Sequence, residues 1–379
     1  MRIVINSKGI PFIKCCRIKN LIIKIYKKMG PNLYRNFYVR MQSVLLIGMS
    51  LALYACGNDD LNKDIEEPSL INVVTFKNAK VAFAEGASQS VEGTFSFPTN
   101  TERIKSIKMY IQDICPNKEC DEWDRYANIY VKDKTSGEWY EMGRFITPYW
   151  VGSEKLERGY EFDVTDFKSL LNGNTELKIY TETWLAKGRI YSVDFDIEYG
   201  DTDYKYSAVI PVFQYNKSSI DGVPYGKTHN FDMSRQIQIP SDTELAYFRT
   251  IISGWGHATP YDTGNRGCAE WCFRTHSIHI NSTSTFEHKL EGIGCADNPI
   301  NNQAPGNWRP DRAGWCPGMP VPVRLNNIQK SLFGSNFNFE YKFEDWTNNG
   351  NGGEAYYAIS TFVVVKSNQP IDKATVVTS

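Results

Sequence analysis

From Gly93 to Val365 the chain reads as one short strand after another, with no sustained helical periodicity. The runs include Gly93-Thr-Phe-Ser-Phe, Ile107 to Ile111, Ala127 to Val131, Leu177 to Trp184 and Tyr191 to Tyr199. They continue with Leu245 to Ile252, Ser277 to Ile280, Phe337 to Phe343 and Ala355 to Val365. Gly, Asn and Ser punctuate them at the intervals of antiparallel sandwiches, so the reading is all-β. Thr135-Ser-Gly-Glu-Trp reads as a hairpin turn. The one helical signal is short, from Asp163 to Leu171, with Asp163 or Thr165 as its cap. A polar stretch from Gly200 to Tyr206 divides the strand-rich part into two β domains, 70–201 and 207–379. Aromatics are 13% of the chain, with 22 Tyr, 20 Phe and 9 Trp. Flat rings suit pleated surfaces and also the apolar faces of sugars, and composition alone favours the packing role. The formal net charge of −1 offers no broad attraction for nucleic acid.

Residues 1–55 read as a targeting segment and stay outside the fold argument. Residues 1–40 carry ten Lys or Arg and no acid, followed by an apolar run from Val44 to Leu53 that is too short to span a bilayer as a helix. The ending Leu53-Tyr54-Ala55-Cys56 fits a bacterial lipoprotein signal, with Cys56 as the acylated N-terminus. The alternative is an ordinary cleaved signal peptide, with Met1, Met29 or Met41 as the start. Residues 56–69 form an acidic tether. Beyond it lie six cysteines: Cys115, Cys120, Cys268, Cys272, Cys295 and Cys316. An even set past a signal segment implies disulfides formed in an oxidising compartment. Six cysteines allow 15 pairings, and joining neighbours in sequence is the most local choice. Such short loops contribute only about 2–3 kcal/mol each, so their expected role is to pin loops near a site. Zinc is the rival reading, but the x4 and x3 spacings of Cys115/Cys120 and Cys268/Cys272 lack a matching Cys/His pair nearby.

Three acids stand in unusual settings: Asp124 within Cys120-Asp-Glu-Trp-Asp-Arg-Tyr, Glu182 in Tyr180-Thr-Glu-Thr-Trp, and Glu270 between Cys268 and Cys272. Amide hydrolysis near neutral pH needs one group to activate water and another to protonate the leaving nitrogen. Carboxyls do both when an apolar wall keeps one protonated and a polar setting keeps the other ionised. Trp123, Trp184, Trp271 and Trp315 are candidate walls and sugar platforms. Taken singly, each acid reads more simply as a solvated or salt-bridged surface group.

The longer motifs around these acids are more specific. Cys115-Pro-Asn-Lys-Glu-Cys-Asp-Glu-Trp-Asp-Arg-Tyr-Ala-Asn, Gly143-Arg-Phe-Ile-Thr-Pro-Tyr-Trp-Val-Gly and Ile179-Tyr-Thr-Glu-Thr-Trp-Leu-Ala-Lys-Gly resemble the peptide-N-glycosidase F family. So do Ser253-Gly-Trp-Gly-His, Arg266-Gly-Cys-Ala-Glu-Trp-Cys-Phe-Arg-Thr-His and Asn307-Trp-Arg-Pro-Asp-Arg-Ala-Gly-Trp-Cys-Pro-Gly. The resemblance runs from about residue 70 to the C-terminus. It implies two side-by-side eight-stranded antiparallel jelly rolls, with the active site at their interface. It also implies hydrolysis of the amide joining N-acetylglucosamine to asparagine in glycoproteins and glycopeptides, with no metal or cofactor and as a monomer. In that family the acid matching Asp124 is the primary catalytic residue, the one matching Glu270 acts through bound water, and the one matching Glu182 holds the core sugar. Arg125 and Arg312 match positions that orient carboxylates or bind sugar oxygens. Trp123, Trp184, Trp255, His257 and Trp315 match the lining of the glycan cleft, and the family's disulfides join sequence neighbours.

Two rival readings follow from the same architecture and residues. A copper monooxygenase shares paired jelly rolls but needs an imidazole-rich site. The five histidines are His229, His257, His276, His279 and His288, and the close pair His276 and His279 face opposite sides of a strand. A glycan-binding protein without catalysis would tolerate loss of the three acids, and all three are present.

Overall fold

The structure, a computed structural model, describes residues 69–262 and 264–378. The targeting segment 1–55, Cys56 and most of the acidic tether lie outside the described residues.

The chain forms strands β1 (Leu70–Val74), β2 (Ala79–Val81), β3 (Ser90–Phe97), β4 (Ile104–Ile114), β5 (Tyr126–Lys132), β6 (Trp139–Ile146), β7 (Tyr160–Asp163), β8 (Gly173–Thr181) and β9 (Arg189–Tyr199). It then forms β10 (Tyr206–Tyr215), β11 (Val223–Pro224), β12 (Ser234–Gln238), β13 (Leu245–Trp255), β14 (His257–Ala258), β15 (Cys268–Ala269) and β16 (Thr275–Ile280). The remaining strands are β17 (Thr283–Lys289), β18 (Val323–Asn327), β19 (Asn336–Lys342), β20 (Tyr356–Ser367) and β21 (Thr375–Thr378). Sheets ordered β1-β9-β4-β7 and β3-β8-β5-β6 make the first sandwich; β10-β20-β13-β18 and β17-β16-β19-β12-β21 make the second. Every ladder is antiparallel. The eight-strand expectation for each sandwich is met with additions: β2 joins β9, β21 extends the second sandwich, β11 joins β20, and β14 with β15 forms a separate ribbon.

Burial explains which segments became which strands. β9 alternates buried and half-buried residues along its whole length, as one face covered by a core demands. Its inward residues Val193, Phe195 and Ile197 meet Ile107 and Met109 of β4 and Ile129 and Leu177 from the facing sheet. The second core gathers Phe248, Ile278, Phe339, Tyr357 and Val363. β5, β6, β13 and β20 are instead buried almost throughout. They are covered on both faces because the two sandwiches meet there, so they lack a clean in–out alternation.

That seam is polar where it bends toward the site. Glu141 and Arg144 of β6 form a fully buried ion pair at 2.8 Å. Arg144 donates through Nη1 to Ser253 Oγ (2.9 Å) and to the Ala358 carbonyl (2.6 Å). Asn216 Nδ2 and Ser360 Oγ donate to Glu141 Oε2. A buried pair of this kind is tolerable only when its remaining donors and acceptors are met, as here. Beyond it, the end of β6 pairs with the loop after Cys316, through Gly318 N to Ile146 O (2.8 Å) and Ile146 N to Met319 O (3.1 Å).

The helix expected from Asp163 to Leu171 reduces to a single 3₁₀ turn, Thr165–Phe167. Asp163 Oδ1 accepts from Thr165 N, and Thr165 Oγ1 accepts from Ile107 N of β4. These side-chain bonds hold the segment as a turn against the sheet and compete with helix propagation.

Candidate active site

The site is assembled from loop ends that the seam brings together. Cys115 and Cys120 are bridged, and the chain passes from them through Asp121 and Asp124 into β5. Asp121 is fully buried and takes a two-pronged contact from Arg125, Nε at 2.7 Å and Nη2 at 3.0 Å. It also accepts from Trp123 N (3.1 Å) and Thr183 Oγ1 (3.3 Å), which ties this loop to the end of β8. Arg125 therefore orients Asp121, and the carboxyl of Asp124 is left to other partners.

Those partners come from the second sandwich and from the loop after β6. Arg312 is 1% exposed; its Nη2 lies 3.5 Å from Asp124 Oδ2 and its Nε lies 3.2 Å from Glu270 Oε1. Its Nη2 also donates to Tyr149 Oη (3.0 Å) and to the Asn307 carbonyl (2.7 Å). Tyr149 also faces Asp124 and helps to hold its carboxyl down. One guanidinium thus bridges two carboxyls, and the planar fork is what makes simultaneous contact possible. The Trp271 and Trp315 rings lie 4.5 and 5.0 Å from the Arg312 guanidinium carbon.

Burial pushes the Asp124 carboxyl up to about 6, against the pull of Arg312 and with a further push from the nearby Glu270. A carboxyl with that proton affinity exchanges its proton near neutral pH. Burial also raises the Glu182 carboxyl. Glu182 follows β8; its amide donates to the Tyr126 carbonyl (2.9 Å), placing it beside the start of β5. Its Oε2 accepts from Ser219 N (2.9 Å) and Ser219 Oγ (2.6 Å). Oε1 has no hydrogen-bond partner among the described residues.

Glu270 is held by the β14–β15 ribbon, in which His257 pairs with Ala269. The Cys268–Cys272 bridge brackets it. Its amide donates to the Gly256 carbonyl (3.0 Å), and its carbonyl accepts from Ala313 N (2.8 Å). Gly256 has φ +89, and an added Cβ would sit 1.8 Å from the Glu354 carbonyl oxygen, so only glycine fits between β13 and the ribbon. His257 Nε2 lies 3.1 Å from Glu270 Oε2 and 2.9 Å from Trp271 Nε1. When protonated, Nε2 donates to the carboxylate; when bare, it accepts the indole N–H. The Glu270 contact raises the His257 pKa and favours the first arrangement.

Exposure sorts the expected sugar platforms. Trp123 and Trp184 are 56% and 48% exposed, with Tyr149 and Phe83 as their respective ring neighbours. Trp255 is half-buried and stacked on Trp315, with ring centroids 4.3 Å apart. Trp315 itself is fully buried, and its Nε1 donates to the Gly254 carbonyl (2.8 Å). Its expected place in the cleft lining is therefore corrected: it supports Trp255 and Arg312 from below. Arg312, equally buried, directs its guanidinium to the Asp124 and Glu270 carboxyls. Cys295 bridges Cys316 next to Trp315 and fixes this support.

Two contributors, Tyr149 and Ser219, escaped sequence reasoning. Tyr149 sits inside a quoted motif, whereas Ser219 lies in a connection that carries no signal. Among the described residues, the one grouping of three potential metal ligands is Cys295, Asp311 and Cys316, and both of its cysteines are in a disulfide. His276 and His288, paired across β16 and β17, are both buried in the second core.

Comparison with known proteins identifies relatives of the whole described chain. A family model described as peptide-N-glycosidase F, N terminal, matches residues 132–197, and one described as peptide-N-glycosidase F, C terminal, matches residues 224–364. The chain is 69% identical over 309 residues to the peptide-N(4)-(N-acetyl-beta-D-glucosaminyl)asparagine amidase F of Elizabethkingia miricola, covering 82% of this chain and 87% of that protein. A solved recombinant peptide:N-glycanase F superposes with a TM-score of 0.81 at 68% identity, over 82% of this chain and 100% of that one. A glycosylasparaginase structure from Flavobacterium meningosepticum gives a TM-score of 0.80 at 68% identity, over 81% and 99%. PNGF-II, at 16% identity and a TM-score of 0.63 over 80% and 66%, shares the fold.

Proposed function

The chain belongs to the peptide-N-glycosidase F family, and from that premise we propose how its residues carry out the family's reaction. It hydrolyses the amide bond between N-acetylglucosamine and asparagine in N-linked glycoproteins and glycopeptides. Water adds its oxygen to the asparagine side-chain carbon while the nitrogen leaves with the sugar and takes up a proton. The products are aspartate and a glycosylamine, which a second water then hydrolyses to the free sugar and ammonia. The intact glycan is released.

The observation that carries the assignment of roles is the Arg312 bridge between Asp124 and Glu270. Asp124, whose proton affinity is set near neutral, serves as general acid/base at the amide. Glu270, held by Arg312 and His257, positions the attacking water. Glu182 receives the core N-acetylglucosamine through Oε1, and the exposed rings of Trp123 and Trp184 flank the sugar. Trp255 and His257 form the rim on the second sandwich. The two sandwiches, residues 70–201 and 207–379, act as two domains of one monomeric enzyme that uses no cofactor, so a chelator leaves activity intact. The protein is exported and displayed through a lipid on Cys56, or freely secreted if the leader is cleaved as an ordinary signal.

Incubation with a denatured N-glycoprotein, followed by mass spectrometry, tests the reaction. Free glycan and a peptide heavier by about one dalton at asparagine, as replacement of an amide by an acid requires, are expected. Glycan retained on the peptide and bound to the protein would mark a lectin and overturn the proposal.

A further inference from the structure

A second cavity, of about 320 Å³, opens at the seam between the sandwiches and shares no residue with the active site. Lys168, from the first sandwich, lines it and is only 4% exposed. Its ammonium donates to the Tyr204 carbonyl (2.9 Å) in the connection between the sandwiches and makes no ion pair among the described residues. Lys366 of β20 lines the same cavity from the second sandwich, with Asp166 Oδ1 at 2.9 Å from its ammonium. Asp166 is already shared: it accepts from the Tyr247 hydroxyl and lies 3.6 Å from Arg249 Nε. Ser207 at the start of β10 also lines the cavity, and its hydroxyl is buried without a partner among the described residues. The remaining charged groups of the wall are solvent-facing: Lys105, paired with Glu198 at 2.7 Å, and the exposed Asp201 and Asp203.

A buried ammonium without a carboxylate is costly, and a second ammonium nearby makes it more so. Burial, then repulsion from Lys366, lowers the Lys168 pKa to about 8. An anion between the two lysines removes both penalties and gives the Ser207 hydroxyl an acceptor. We propose that this cavity binds a small oxyanion of the phosphate or sulfate class, bridging Lys168 and Lys366 and so clamping the two sandwiches and their connecting segment. Pockets of this kind favour domain seams, and a ligand held only by the folded state stabilises it by mass action.

The full chain is melted in sodium phosphate and in sodium chloride of equal ionic strength. A saturable rise of about 2–4 °C is expected in phosphate, lost in Lys168→Met and in Lys366→Met while glycan release continues at the wild-type rate. Glucose 6-phosphate run beside inorganic phosphate separates the sources: a rise with the ester as well means that an esterified anion is accepted, and a rise with phosphate alone means a free ion. Equal melting of the wild type in phosphate and chloride overturns the proposal, as does a phosphate effect that survives Lys168→Met. Should either variant fail to fold, wild-type crystals soaked in selenate decide. Anomalous density within hydrogen-bond reach of the Lys168 ammonium supports the site, and an empty cavity refutes it.

Discussion

Replacing Asp124 by asparagine is expected to abolish glycan release and, at neutral pH, to stabilise the fold. Burial raises this carboxyl from 3.8 to about 6, so the folded state binds its proton more tightly than the unfolded chain does. The stability it contributes is fully present below its unfolded value near 3.8 and is lost as the pH rises through about 6. Roughly a hundredfold in proton affinity corresponds to about 3 kcal/mol, which is the most that removing the ionisable group can return. Part is given back, because Arg312 loses one of its two carboxyl partners and keeps only Glu270. The expected gain is therefore about 1–3 kcal/mol at about pH 8, shrinking to nothing or to a slight loss near pH 4. Urea unfolding of wild type and Asp124→Asn across that range, with unchanged m-values, measures it. A stability difference that does not vary with pH, or a variant that loses ground as pH rises, refutes the assignment of a buried, proton-retaining carboxyl.

Three further outcomes follow from the same contacts. Arg312→Lys keeps the charge but not the fork that bridges Asp124 and Glu270, and should lower kcat/KM by about 10²–10³-fold while the protein still folds; near-normal kinetics would show that the bridge is incidental. NMR titration should place His257 above its ordinary 6.5, with the excess lost in Glu270→Gln, since the Glu270 contact is the leading cause of the rise; an unmoved His257 in that variant would break the proposed coupling. Trp184→Ala removes a ring that is 48% exposed and should raise KM with little change in melting temperature; a large stability loss with unaltered KM would make it a packing residue.

Much of this architecture was legible because burial writes its period into the chain. β9 alternates as a one-faced strand must, and β9 ends at Tyr199 with β10 starting at Tyr206. β5, β6, β13 and β20 lack clean alternation for a reason that only the assembled molecule reveals: each is covered on both faces. The segment after β7 has helical spacing, yet two side-chain bonds to backbone amides fix it as a 3₁₀ turn. At the site, the settings of Asp124, Glu182 and Glu270 drew notice through neighbouring Trp and Cys residues. Which way a side chain points was not legible. Trp315 shares its motif with Arg312, yet both are turned inward as supports, and Arg125, next to Asp124 in sequence, grips Asp121. Ser219 holds Glu182 from a distant connection whose local sequence gives no hint of it.

The central claim is that carboxyls from both sandwiches meet around one glycosylated asparagine. A crystal structure of Asp124→Asn with a bound N-glycopeptide tests it most directly. The scissile amide should lie within hydrogen-bond reach of residue 124, with a water held by Glu270 beside its carbonyl carbon and the first N-acetylglucosamine against Glu182. Glycan density elsewhere on the surface, or seated so that residue 124 and Glu270 do not both face the amide, would contradict the account.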